Sequence, residues 1–269
     1  LTQELFSINT LEGRIKFDYY SEGMEKYFDQ TTYKFGTAKL VGKHGKYFLH
    51  IPVTYDVPVS NLSEVCNVVG IDRGINFLIA TYDSKHKSNF VSGKGIKQKR
   101  ANYSKLRKEL QIRKTPSSRR RIKAIGQRET RWMQDINHQV SKALVDNNPK
   151  HTLFVLEDLT GVRNATERIR IKDRYVSVSW SFYDLEQKLT YKAKQNQSTV
   201  IKVDPAYTSQ CCPKCGHTEN ANRNKKKHIF TCKNCGYQSN DDRIGAMNLY
   251  RMGINYLVDS QVPCTVTTE

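Results

Sequence analysis

No apolar run in this sequence is long enough to cross a bilayer, and no charged-then-apolar leader of the secretory type is visible. Both absences argue against a membrane-embedded or exported protein. Acidic residues are scarce: 26 Asp and Glu stand against 44 Lys and Arg, a formal net charge of +18. That shortfall points to a polyanionic partner, nucleic acid before an anionic membrane surface. A glycine-rich phosphate loop is missing, which argues against nucleotide hydrolysis. His44, His50, His138 and His151 lie in no nucleophile motif, so a Ser-His-Asp hydrolase is a poor reading.

What is present suffices for a real core. The 269 residues are 38% hydrophobic, enough for one large domain and a small one. Four of the seven cysteines form two Cys-x-x-Cys pairs, Cys212/Cys215 and Cys232/Cys235, each followed by a glycine (Gly216 and Gly236). Such spacing lets two sulfurs from one tight turn reach a single ion, and four thiolates are the usual set for a closed tetrahedral Zn²⁺ site. The glycine supplies a turn that a Cβ would obstruct. Cys66, Cys211 and Cys264 are left over. Spare thiols without a secretory signal fit a reducing, cytoplasmic compartment. The sequence opens on Leu1 in mid-pattern, as expected of a fragment or a processed chain.

Taken in order, residues 1–62 read as a β-rich module, with strands over 37–41 and 46–53 joined through Gly42-Lys43-His44-Gly45. Residues 64–72 climb into an apolar strand that ends on Asp72; 76–82 and 89–92 follow as strands. The stretch 94–131 holds 15 Lys and Arg against two Glu. It reads as two helical pieces split at Thr115-Pro116-Ser117-Ser118, with Ser117 or Ser118 as the second cap. An apolar stripe of Trp132, Ile136, Val140 and Leu144 continues the second piece inward. Density of one sign favours phosphate contacts by Lys97, Lys99, Arg100, Lys105, Arg107, Arg119, Arg120, Arg121 and Lys123. A strand over 151–157 ends on Glu157, and a polar loop spans 164–172. A helix over 179–195 buries Trp180, Tyr183, Leu185, Leu189 and Ala193. A fifth strand over 199–203, the cysteine pairs and a last helix over 242–257 complete the chain before a tail over 259–269.

Three strands followed by alternation predict a mixed α/β sheet. Strands one and four can be neighbours in it, which brings Asp72, Glu157 and Asp242 toward one point. Three carboxylates suit hard divalent cations, and a pair of Mg²⁺ ions ~4 Å apart can activate water and stabilise the leaving oxygen of a phosphodiester.

At these residues the sequence resembles the TnpB family, the OrfB-type insertion-sequence proteins related to type V CRISPR effectors. VVGIDRGINFLIATYD, FVLEDLTGV, WSFYDLEQKLTYKAKQ with IKVDPAYTSQCCPKCGH, and NDDRIGAMNL carry the match across residues 64–257. The resemblance implies an RNase H-like (RuvC) nuclease with an inserted zinc ribbon. The nuclease would span 63–207 and 239–258, the ribbon 208–238, and the β-rich module at 1–62 would be the end of the family's wedge barrel. It implies an RNA-guided DNA endonuclease of a mobile element, with a DNA target and a guide RNA from the element's own locus as partners. Catalysis would rest on Asp72, Glu157 and Asp242 with Mg²⁺; Cys212, Cys215, Cys232 and Cys235 would hold Zn²⁺. The family frame Asn-x-Asp-x-x-x-Ala-x-Asn falls on Asn240, Asp242, Ala246 and Asn248, so Asp242 rather than Asp241 is the third carboxylate. A strand-transferring transposase and a non-catalytic zinc-ribbon regulator are the competing readings.

Overall fold

The computed structural model describes residues 5–43, 45–74, 76–159, 182–225 and 227–261. The chain forms two compact units, Leu1–Pro58 and Val59–Glu269.

In the first unit, β1 (Leu5–Thr10) pairs antiparallel with β2 (Gly13–Asp18) through a turn in which Gly13 takes φ +108°. Next come β3 (Lys34–Phe35), β4 (Lys39–Lys43), β5 (Lys46–His50) and β6 (Val53–Thr54). β4 pairs with β5, and β3 with β6, both antiparallel. The expected turn after residue 41 starts later, because Gly42 stays in the ladder opposite Tyr47 and Gly45, at φ +73°, makes the reversal. Edge-on aromatic contacts, Phe28 with Phe35 and Tyr33 with Tyr55, bind its short strands together.

The second unit is a mixed α/β fold on a five-stranded sheet. β7 (Asn67–Asp72), β8 (Phe77–Asp83) and β9 (Ser88–Ser92) run antiparallel to one another in sequence. β10 (Thr152–Glu157) lies parallel beside β7, and β11 (Thr199–Val203) parallel beside β10. The sheet order is therefore β11-β10-β7-β8-β9. β7 and β10 read as unbroken apolar runs because both of their faces are covered.

On one face lie α3 (Arg128–Asp146) and α4 (Phe182–Gln195), which bury Met133, Val140, Leu144, Leu185 and Leu189 against Val69, Ile71 and Phe154. On the other face α5 (Asp241–Gln261) packs Leu249 against Val68, Leu153 and Val155. α5 crosses β7 at backbone distance. A Cβ on Gly70 would stand 2.1 Å from the Ala246 carbonyl oxygen and 2.4 Å from the Tyr250 nitrogen. Glycine at 70 is thus a packing requirement.

The basic stretch forms α1 (Lys94–Arg113) and α2 (Pro116–Ile125) and then enters α3, so it is cut twice rather than once. The first cut is capped by Thr115, whose hydroxyl accepts from the Ser118 N–H at 3.2 Å, and not by Ser117 or Ser118. Proline at the first helical position leaves Thr115 as the N-cap. The second cut falls at Gly126-Gln127, where glycine weakens the helix. Tyr183, expected inside, is 70% exposed: it sits two positions, about 200°, from the buried Leu185–Leu189–Ala193 stripe. α5 extends through Gln261, past the expected start of the tail at 259. The rest of that tail, the loop over 164–172 and Trp180 lie outside the described residues.

Candidate metal centre

Asp72 is the last residue of β7 and Glu157 the last of β10. The parallel register pairs Leu156 with Ile71, so the two carboxylates leave the same edge of the sheet side by side. Asp242 enters from the first turn of α5. Gly245 of that helix stands so close that a Cβ there would lie 2.8 Å from Asp72 Oδ2. The helix backbone therefore rests directly on the Asp72 carboxylate.

Burial raises the Asp72 carboxyl well above its ordinary pKa, and the charges of Glu157 and Asp242 push it further. Asp72 is thus the carboxylate that feels both others. Glu157 is raised mainly by burial, against the Thr208 hydroxyl and the charges of Arg73 and Arg223. Asp242 is raised by burial and by Asp241, against Arg223 and His228. Its Oδ2 is buried and has no hydrogen-bond partner among the described residues. Three crowded carboxylates with raised pKa values and an orphaned oxygen form a donor set that fits hard divalent cations.

Neighbouring groups orient them. The Thr208 hydroxyl donates to Glu157 Oε1, and Asn248 Nδ2 fixes this turn by donating to the Thr208 and Cys211 carbonyls at 2.7 and 2.8 Å. The buried Arg73 guanidinium donates to the Glu157 carbonyl and, at 3.2 Å each, to the Phe182 carbonyl and the Glu186 carboxylate. Arg223 Nε donates to Asp241 Oδ2 at 2.9 Å, and its Nη2 lies 3.9 Å from Asp242 Oδ1. Asn240 Oδ1 accepts from the Asp242 and Arg243 N–H groups and closes the helix end.

One further group is tighter than the predicted triad. His228, Asp241 and Asp242 each offer a ligand atom within 4.8 Å of the others, and Asp72, Glu157 and Asp242 form no set that close among the described residues. Asp241 is fully buried and paired with Arg223, so it belongs to the site's charge balance even though its neighbour carries the free oxygen.

The four cysteines converge on a second centre. Cys212 Sγ lies 3.7 Å from Cys235 Sγ, Cys215 Sγ lies 3.5 Å from Cys232 Sγ, and all four sulfurs are within 4.8 Å of one another. A disulfide needs about 2.05 Å. A tetrahedron with bonds of ~2.3 Å has edges of ~3.8 Å, close to these separations. The two turns are copies of each other. Gly216 and Gly236 adopt φ +74° and +72°, Cys212 N–H donates to the His217 carbonyl, and Cys232 N–H donates to that of Tyr237, each at 2.9 Å. The His217 N–H draws the Cys215 thiol down to about 6. Cys235 is helped by the Tyr237 N–H, but burial and the neighbouring thiols push it up to about 12. Three short strands frame this centre: β12 (Arg223–Asn224), β13 (Ile229–Thr231) and β14 (Gln238–Asn240). Cys212, Cys232 and Phe230 pack on Ile244 of α5, so the cysteine insert and the Asp242 helix share one small core.

Of the basic residues expected to meet phosphate, Lys97, Lys99, Lys105, Arg119, Arg120, Arg121 and Lys123 are exposed. Lys99 Nζ lies 4.3 Å from the centre of the Trp132 ring. Arg100 is a correction. It is 4% exposed and bonds Glu129 at 3.1 Å, because α1 must pin its inner face to α3. Arg107 is half-buried on the same Glu129, at 2.7 Å.

Sequence reasoning missed Arg73, Thr208, Arg223 and His228 as parts of the site. Thr208 sat within a quoted motif, whereas Arg223 and His228 reach Asp242 only because β12 and β13 fold back over the start of α5.

The sequence matches the family described as a probable transposase (OrfB_IS605) over residues 50–167 and the Cas12f1-like TNB domain over 182–249. It is 27% identical over 252 residues to a CRISPR-associated endodeoxyribonuclease Cas12f1 of Sulfoacidibacillus thermotolerans, covering 86% of this chain and 56% of that protein. It is also 27% identical to the TnpB-like protein MJ0751 of Methanocaldococcus jannaschii, covering 75% of this chain and 73% of the relative. Among solved structures, a Cas12f1–sgRNA–target DNA complex superposes with a TM-score of 0.52 at 19% identity, over 79% of this chain and 55% of that one. The chain thus spans about half the length of the Cas12f1 proteins it matches.

Proposed function

We propose that this chain belongs to the OrfB-type, TnpB-like family, a reading its two matched regions and its relatives support, and that it acts in RNA-guided, Mg²⁺-dependent cleavage of DNA. The observation that supports the reading is that Glu157 and Asp242 stand near enough to Asp72 to raise its carboxyl by their charge, with the buried Oδ2 of Asp242 left without a hydrogen-bond partner among the described residues. The sheet order, with three antiparallel strands and two parallel ones on the β7 side, supports an RNase H-like, RuvC-type nuclease core. The four cysteines suit a structural Zn²⁺ ion and make the insert a zinc ribbon.

Bound Mg²⁺ would supply an activated water and neutralise the charge that develops on the scissile phosphate. The protein's own part is positioning. Asp72 presents its carboxylate between the sheet edge and α5. Thr208 holds one Glu157 oxygen by its hydroxyl. Asn240 caps the helix start and fixes Asp242. Arg223 offsets part of the acidic charge. The exposed lysines and arginines of α1 and α2 draw in the phosphate backbone. A guide RNA and a DNA target are the partners this reading requires, as in the Cas12f1–sgRNA–target DNA complex. The cytoplasm, where such partners meet, is the compartment it implies.

The test is cleavage of single- and double-stranded DNA with Mg²⁺ and RNA transcribed from the chain's own locus, beside Asp72→Ala. Metal-dependent cutting that disappears in the variant is expected. Binding without cutting under every condition would leave a regulator in place of a nuclease.

A further inference from the structure

The tightest metal-capable group beside the proposed catalytic triad contains an imidazole. His228, on the turn before β13, has its Nδ1 buried and 3.5 Å from Asp241 Oδ1. Asp241 is 0% exposed and Asp242 8%. Asp242 Oδ2 and His228 Nδ1 both lack a hydrogen-bond partner among the described residues. One ligand atom from each of the three residues falls within 4.8 Å of the others. The opposite ring nitrogen, Nε2, is 2.9 Å from the Asn76 amide, so the ring is held from behind while Nδ1 faces the carboxylates. Orientation of a ligating histidine through its second nitrogen is the usual arrangement at metal sites. The Asn76 amide sets its Nδ2 against Nε2; a half-turn of that amide presents its oxygen to Nε2–H instead and leaves the Nδ1 lone pair free for an ion.

We propose that His228, Asp241 and Asp242 form a mixed nitrogen–oxygen site for a divalent transition ion such as Mn²⁺, built onto the Asp242 end of the nuclease centre. The inference rests on the proposed metal role of Asp242 and adds two ligands that the Asp-Glu-Asp reading lacks. An imidazole and two carboxylates hold Mn²⁺ more readily than Mg²⁺, which prefers an all-oxygen shell rich in water. Two features oppose the cation, and both are met locally. The positive end of α5 is closed by Asn240 Oδ1 and by Asp241 Oδ1, which accept from the first N–H groups of the helix. Arg223 is bound chiefly to the far oxygen of Asp241, Oδ2, which leaves Oδ1 on the histidine side.

The experiment is pulsed electron paramagnetic resonance of Mn²⁺ added to the Zn²⁺-loaded full chain, read for nitrogen coupling and for affinity. The expected result is a ¹⁴N coupling to bound Mn²⁺ that changes to ¹⁵N in protein carrying ¹⁵N-labelled histidine. Labelling needs no variant and so cannot fail through misfolding. His228→Gln, with unchanged zinc content and circular dichroism, is expected to abolish the coupling and to weaken Mn²⁺ binding by about tenfold or more. Mn²⁺ that binds and is lost in Asp72→Ala, but shows no histidine nitrogen, would overturn the mixed site while leaving the carboxylate centre standing. Histidine coupling that persists in His228→Gln would also overturn it. No Mn²⁺ binding at all would overturn both readings.

Discussion

Burial raises the carboxyls of Asp72, Glu157 and Asp242 together, which has a measurable consequence for stability. Between the ordinary carboxyl range and the raised folded values, the folded chain binds more protons than the unfolded one. Its metal-free stability therefore falls as pH rises through that window. A divalent cation that holds these groups anionic reverses the trend. The increase in Tm on adding Mg²⁺ is expected to be larger at about pH 8 than at about pH 5. At ~100 times its Kd the ion would contribute about 2.7 kcal/mol. Asp72→Asn should remove most of that gain, since it deletes the carboxylate that feels both others. Differential scanning calorimetry of both chains at both pH values checks this; a Mg²⁺ shift that is equal in all four conditions would place the ion elsewhere. Thr208 gives a second residue-scale test. Thr208→Val keeps the shape and removes the hydroxyl that orients Glu157, so DNA cleavage should fall while zinc content stays at the parent's. The lost hydrogen bond to a charged group, about 1.5–3 kcal/mol, corresponds to a loss of roughly tenfold to a hundredfold if it acts in the transition state. Cleavage at the parental rate would make that hydroxyl a bystander.

Among the elements, α5 couples the two centres. Its first turn carries Asp241 and Asp242, Ile244 packs on the cysteine cluster, and Leu249 seals the sheet. Two element-scale predictions test that coupling. Gly70→Ala forces a methyl against the backbone of α5, which no rotamer change relieves. Overpacking of this kind costs typically 1–3 kcal/mol, and more where the obstacle is main chain. A drop in the urea midpoint with an unchanged m-value would register it; an unaltered midpoint would mean that α5 can shift freely. Cys232→Ser should lose the zinc ion and loosen the small core in which Cys212, Cys232 and Phe230 hold Ile244, and with it the first turn of α5 that carries Asp242. Zinc stoichiometry and Mg²⁺ affinity should therefore fall together. The elements themselves were largely legible, because continuous apolar runs bounded by Asp72 and Glu157 mark strands covered on both faces, and Cys-x-x-Cys-Gly marks its turn. Helix breaks were less so: Gly126 cuts the basic stretch in a place where composition hardly changes. Arg223 and His228 were not legible at all, since nothing local in a lysine-rich loop announces that the insert folds back onto the first turn of α5.

At the scale of the whole molecule, a net charge of +18 favours a polyanionic partner but does not say where it would lie. The fold separates the basic residues that sequence spacing lumps together. Arg100 and Arg107 turn inward onto Glu129 and tie α1 to α3, whereas Arg119, Arg120, Arg121 and Lys123 crown α2 in solvent. These two sets should answer differently to the same substitution. Replacing the four exposed residues by glutamine should leave Tm nearly unchanged and weaken DNA or RNA binding at every sequence. If all four touch phosphate, the slope of log K against log salt should become shallower by about 3–4, since each neutralised phosphate contributes roughly 0.7–0.9. Arg100→Gln takes a buried guanidinium away from Glu129, so Tm should fall, while the salt slope of the protein that remains folded stays as it was. Binding titrations over a range of salt, run beside thermal melts, separate the two. A slope that moves with Arg100→Gln and not with the α2 set would put the phosphate-binding face on the opposite side of the helical layer, away from α2.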